Sequence, residues 1–113
     1  MPSVVKHGTL VNAAQTLRIQ GLRRIDAALA DVATVDLTVF VDALGAMLVL
    51  DVTAAKVAKR ADVATATITR WAQGFHSPHH LMLPSIVKAM REVISDEIAI
   101  ASAHLRGRSL KAA

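Results

Sequence analysis

Residues 53–74, TAAKVAKRADVATATITRWAQG, hold the side chains best suited to chemistry in this 113-residue chain. Thr65, Ala66, Thr69, Arg70 and Gln73 fall at i, i+1, i+4, i+5 and i+8, a spacing that puts them on one side of a helix. They are short or polar, as a face that probes base edges in a DNA groove requires. Just upstream, Thr53, Lys56, Lys59 and Arg60 supply a hydroxyl and cations suited to phosphate oxygens. Just downstream lie His76, His79 and His80. Three roles are open to these imidazoles: His76 and His79 beside phosphate, all three on plain surface, or an H-x-x-H-H metal site. Against the metal, no carboxylate lies nearby in sequence, and the loop runs into a proline.

No catalytic constellation stands out. Ser3, Ser77 and Ser85 lack the neighbouring His and Asp that would activate a hydroxyl. There is no glycine-rich phosphate loop. The carboxylates are scattered, and adjacent Asp96 and Glu97 point to different sides of a helix. The expectation is a binding protein, not an enzyme, with no cofactor and no metal.

Positioning such a face takes two short helices and a tight turn. Thr53 is a good N-cap for a helix over 54–61. Ala58 is small enough to let a second helix approach closely, and Asp62 sits at the turn. The second helix is expected over 65–73, starting at Ala64 or Thr65 and stopped by Gly74. Val63, Ile68 and Trp71 form an apolar wedge beneath it. Trp71 is therefore read as core and not as a base-stacking ring.

Around this hairpin the hydrophobic period is helical. Residues 9–30 carry a stripe of Ala14, Leu17, Leu22, Ile25 and Leu29, and Gly21 offers a place for another backbone to approach. Thr34 or Asp36 is the expected N-cap of the next element. Residues 37–50 are rich in β-formers, yet Leu37, Phe40, Val41, Leu44, Met47 and Leu48 follow helical spacing. Ser77-Pro78 looks like a helix start that Pro84 interrupts. A turn is expected over 78–82 and a longer helix from Pro84, with Ile86, Val87, Met90, Val93, Ile94, Ile98 and Ile100 or Ala101 inward. Ser95-Asp96 is a candidate bend and Gly107 the expected end, before a loose basic tail.

Length and composition bound these readings. The length suits one domain with a single core, and 53% apolar residues argue against disorder. The absence of cysteine excludes disulfides and thiolate metal sites. The net charge of +4 lies wholly in residues 51–113, because the cations and carboxylates of residues 1–50 cancel. A basic half attracts a phosphate backbone. The N-terminus lacks the apolar core of a secretory leader, and the longest apolar run, 37–50, is too short to span a bilayer and contains Asp42. A cytoplasmic location away from membranes is the expectation.

The stretch TAAKVAKRADVATATITRWAQGFHSPHHLMLPSIVKAM resembles the helix-turn-helix of the Cro and lambda-repressor type, the XRE family, over roughly residues 37–94. Ala58, Val63, Ile68, Trp71 and the Gly-loop-Ser-Pro step carry the resemblance. One departure is Asp62, where the family has glycine in the left-handed region. The resemblance implies an all-α fold, one domain of five to six helices. The resemblance covers the DNA-binding core expected over 36–94; the N-terminal helical extension, 1–35, and the C-terminal helix with basic tail, 95–113, have no counterpart in the minimal family domain. It implies a transcriptional regulator, by default a repressor, whose Thr65, Ala66, Thr69, Arg70 and Gln73 contact bases. Phosphate contacts fall to Thr53, Lys56, Lys59, Arg60, His76 and His79. The implied partner is double-stranded DNA with a near-palindromic operator, bound by a homodimer. Residues 9–30 and 95–107 are expected to build the dimer contact, on a separate ground: their apolar faces exceed what the core needs. A second reading keeps the helix-turn-helix shape but uses it on a protein partner, as an antitoxin or anti-activator does. It draws on the scarcity of strong base readers between Ala64 and Thr69.

Overall fold

The computed structural model describes residues 7–112, with side chains described from 10 to 107. It is all-α, with no strand among the described residues: α1 (His7–Leu29), a 3-10 turn (Val32–Thr34), α2 (Leu37–Val49), α3 (Ala54–Ala61), α4 (Thr65–Ala72) and α5 (Leu83–Ala112). None of these helices is long and apolar enough to cross a membrane.

Local chemistry sets the element ends. Asp31 accepts a hydrogen bond from the Ala33 amide and starts the 3-10 turn. Asp36 accepts from the Val39 amide at 2.8 Å and starts α2, so Asp36 and not Thr34 is its cap. Thr53 accepts from the Lys56 amide and starts α3. The turns on either side of α3 each place an aspartate in the left-handed region, Asp51 at φ 64° and Asp62 at φ 59°. Aspartate tolerates that region better than most side chains, so both helices can stop sharply without glycine. Gly74 takes φ 79° after α4.

The core is one cluster fed by every helix. Leu22, Ile25 and Leu29 of α1 meet Phe40, Leu44 and Met47 of α2, and Val57 and Ala58 of α3. Ile68 and Trp71 of α4 and Ile86, Val87, Met90 and Ile94 of α5 complete it. Each fully buried Leu, Ile, Phe or Met is worth about 1.5–3 kcal/mol relative to exposure. The Phe40 and Trp71 rings meet edge to face, 5.9 Å apart. Arg18 meets Glu97 while Asp26 meets Arg91, so α1 and α5 run antiparallel. Asp26 accepts from Arg91 Nε at 2.8 Å and Nη2 at 3.4 Å, and this hydrogen bonding and charge raise the Arg91 pKa above its ordinary value.

Several sequence expectations need correction. The α1 stripe is shifted: Ile19 is 6% exposed, whereas Leu17 is 67% exposed and Ala14 is also outside. Leu37 is exposed at the start of α2. A Cβ on Gly21 would meet the Leu50 side chain at 2.8 Å, so a side chain and not a backbone approaches there. Ser77-Pro78 starts no helix; Pro78 is buried in the loop, and α5 begins at Leu83. Ser95-Asp96 does not break α5, and Gly107 does not end it. One helical glycine costs only about 1 kcal/mol, which a 30-residue helix absorbs. The boundary expected at 94/95 therefore falls inside α5. The loose start expected for the chain falls on residues 1–6, outside the described residues.

Candidate nucleic-acid interface

Helices α3 and α4 are eight residues each and meet across the turn at Asp62, whose conformation reverses the chain in one step. Ala58, 2% exposed, leaves room for this approach. On α4 the inward positions are Ile68 and Trp71, 0% and 5% exposed. Val63 and Ala72 pack against the same cluster, half-buried. Thr65, Ala66, Thr69 and Arg70 are exposed, and Gln73 is exposed at the C-cap, one position beyond the helix expected to include it.

These five residues lie on one side of α4, opposite the anchors. Thr69 Oγ1 donates to the Thr65 carbonyl at 3.3 Å, which leaves its methyl as the outward apolar group. Among the described residues, Arg70 makes no ion pair and Gln73 no side-chain hydrogen bond, so both retain their full donor sets. Ala64 gives α4 no side-chain cap, so its first amides stay open to water or an anion.

The expected phosphate residues divide. Thr53 is exposed, but its hydroxyl already accepts from the Lys56 amide. Lys56 is turned to Glu97 on α5. Arg60 donates through Nη2 to Asp96 at 2.6 Å, and its Nη1 lies 3.5 Å from Glu92. Lys59 is exposed and joins none of the ion pairs among the described residues. His76 and His79 are exposed in the loop after α4. His79 accepts from the Leu81 amide through Nδ1, and its ring stacks on His80 at 4.4 Å. Among the described residues no group of three His, Cys, Asp or Glu is placed to hold a metal ion. Beside these histidines, Phe75, Leu81 and Met82 are exposed.

Sequence reading missed the most constrained charge in the molecule. Glu97, 5% exposed, is the one buried charged residue among the described side chains. It pairs with Lys56 of α3 and Arg18 of α1, at 3.5 Å for the arginine. Arg18 Nε also donates to the Leu50 carbonyl at 2.6 Å, closing the C-terminus of α2. A signal was present: Glu97 lies at i+4 from Val93 and i+3 from Ile94, within the apolar stripe of α5. A carboxylate in such a stripe needs a cationic partner.

The chain matches no family model, no curated protein and no solved structure.

Proposed function

We propose that the protein is a sequence-specific double-stranded DNA-binding transcriptional regulator that lays α4 in the major groove. The observation that carries this reading is the division of α4: Ile68 and Trp71 are buried while Thr65, Ala66, Thr69, Arg70 and Gln73 share the exposed side. Arg70 suits the O6 and N7 acceptors of guanine, and Gln73 the N6 and N7 of adenine. The methyls of Thr65, Ala66 and Thr69 suit thymine. Phosphate contacts would come from Lys59, His76 and the free amides at the start of α4. The protein acts without cofactor, in the cytoplasm, and represses by occluding polymerase.

One short helix reads few base pairs, so the working unit is a homodimer on a near-palindrome, with half-sites about 34–36 Å apart. The apolar surface of α1 and α5 away from the core supports this assembly: Leu10, Leu17 and Ile100 are all more than half exposed. Analytical ultracentrifugation should show a dimer at tens of micromolar; a monomer removes this part of the proposal. The central test is selection of bound sequences from random duplex DNA. An enriched inverted repeat is the expected result, with affinity that falls steeply as salt rises. No enrichment and no salt-sensitive retention would overturn the DNA reading.

A second reading, a protein-binding module of the antitoxin or anti-activator kind, draws on one observation. The exposed side chains of Phe75, Leu81 and Met82 lie in the segment that follows α4. Binding that survives high salt and depends on Phe75 would favour it.

A further inference from the structure

We infer that Glu92 and Asp96 act as a brake on sequence-independent DNA affinity, by holding Arg60 of the first motif helix away from the phosphate backbone. This rests on the DNA-binding reading and adds specificity-determining residues to it. The residues lie outside α4, on a helix that contributes no base-reading side chain.

The geometry is a guanidinium held by two carboxylates one helical turn apart. Arg60 Nη2 meets Asp96 Oδ2 at 2.6 Å, and Arg60 Nη1 meets Glu92 Oε2 at 3.5 Å. Glu92 and Asp96 stand at i and i+4 on α5, where like charges repel. Within this triad two negative charges flank one positive charge. The neighbouring pair repeats the pattern, with Lys56 turned to Glu97. Two of the three cations of α3 are thus matched by carboxylates of α5, and Lys59 alone stays outside these pairs.

The pairs with Arg60 are not there for stability. The side chains of Arg60, Glu92 and Asp96 are 43%, 46% and 59% exposed. Ion pairs at such exposure contribute about 0–1 kcal/mol. Their consequence is electrostatic: an arginine free to meet a phosphate releases counterions and raises affinity for every duplex alike. That uniform term competes with operator recognition, because non-operator DNA is in vast excess. Tethering Arg60, and setting two carboxylates beside it, lowers the uniform term while α4 is untouched.

The test compares the 113-residue chain with E92Q, D96N and the double variant E92Q/D96N, by fluorescence anisotropy on a random-sequence 20–30 base-pair duplex over a salt series. Thermal melts check that all variants remain folded, as the exposure of the substituted groups requires. The double variant should bind random duplex about 5–10-fold tighter near 0.1 M salt, and its log–log salt slope should steepen by about 0.9, one phosphate contact. Adding R60Q to the double variant should reverse the gain in slope. Binding by the parent protein with an unchanged slope and affinity in the double variant overturns the brake and leaves the DNA reading standing. A gain that persists after R60Q assigns the effect to the carboxylates alone and overturns the role given to Arg60. No binding by any of the proteins at low salt overturns the DNA reading and the brake together.

Discussion

The two helices of the central hairpin have the same length and opposite dispositions. Helix α3 spends two of its three cations on the rest of the molecule: Lys56 and Arg60 reach α5. Helix α4 spends only apolar side chains inward and keeps its arginine and glutamine unengaged. A helix anchored by Ile68 and Trp71 can present any outward residues without affecting the fold. A helix anchored partly by ion pairs cannot. The contrast separates a helix tied into the rest of the molecule from one whose outer side is unengaged, with a single turn between them.

Four substitutions test this contrast. The largest effect belongs to the inner side of α4. Trp71→Ala should cost about 3–5 kcal/mol by denaturant unfolding, because it opens a cavity against Phe40. A protein of unchanged stability would mean that α4 is not anchored there. Next comes the ionic anchor of α3. Glu97→Gln should cost about 2 kcal/mol, since Arg18 and Lys56 would lose their shared counter-charge; the half-exposed Lys56 keeps this below the roughly 3–5 kcal/mol of a fully buried pair. Equal stability would place the hold on α3 in its apolar residues alone. The outer side of α4 should behave in the opposite way. Arg70→Ala is expected to leave the melting temperature unchanged while weakening binding to a selected operator by about 1–3 kcal/mol. Unchanged operator binding would remove Arg70 from the reading surface. The smallest effect lies at the joint. Asp62→Gly should raise stability by about 0.5 kcal/mol, because glycine takes φ 59° without strain. A loss instead would show that the unfolded-state entropy of glycine outweighs the relief.

The hairpin was legible in the sequence because its parts are local. Thr53, Ala58, Asp62, Ile68, Trp71 and Gly74 each specify a cap, a contact or a stop within a few residues, and the span of α3 follows from them. The long helices were harder to read for two physical reasons. An apolar period identifies a helix but leaves its inward direction to tertiary packing, so Ile19 and Leu17 exchanged places in α1. Breakers act on local energy alone, and the packing of α5 against α1 and α3 outweighs Ser95-Asp96 and Gly107. The ion pairs were the least legible feature. Arg18 and Glu97 stand 79 residues apart, and only the antiparallel fold of α1 on α5 brings them together. The same fold diverts Lys56 and Arg60 from the outward role that their basic character suggests.

Helix α5 has one more consequence. Thirty residues without interruption make a rod of about 45 Å, in a molecule whose longest dimension is 56 Å. Its near end adjoins the loop leaving α4, and its middle packs on α3. Such a rod is a ruler and a phase wheel at once. Removing a single residue between 98 and 105 would shorten it by about 1.5 Å and swing everything beyond through about 100°. In a dimer of the kind proposed above, joined at the far ends of α5, that swing would carry the two α4 helices out of step with the pitch of a duplex.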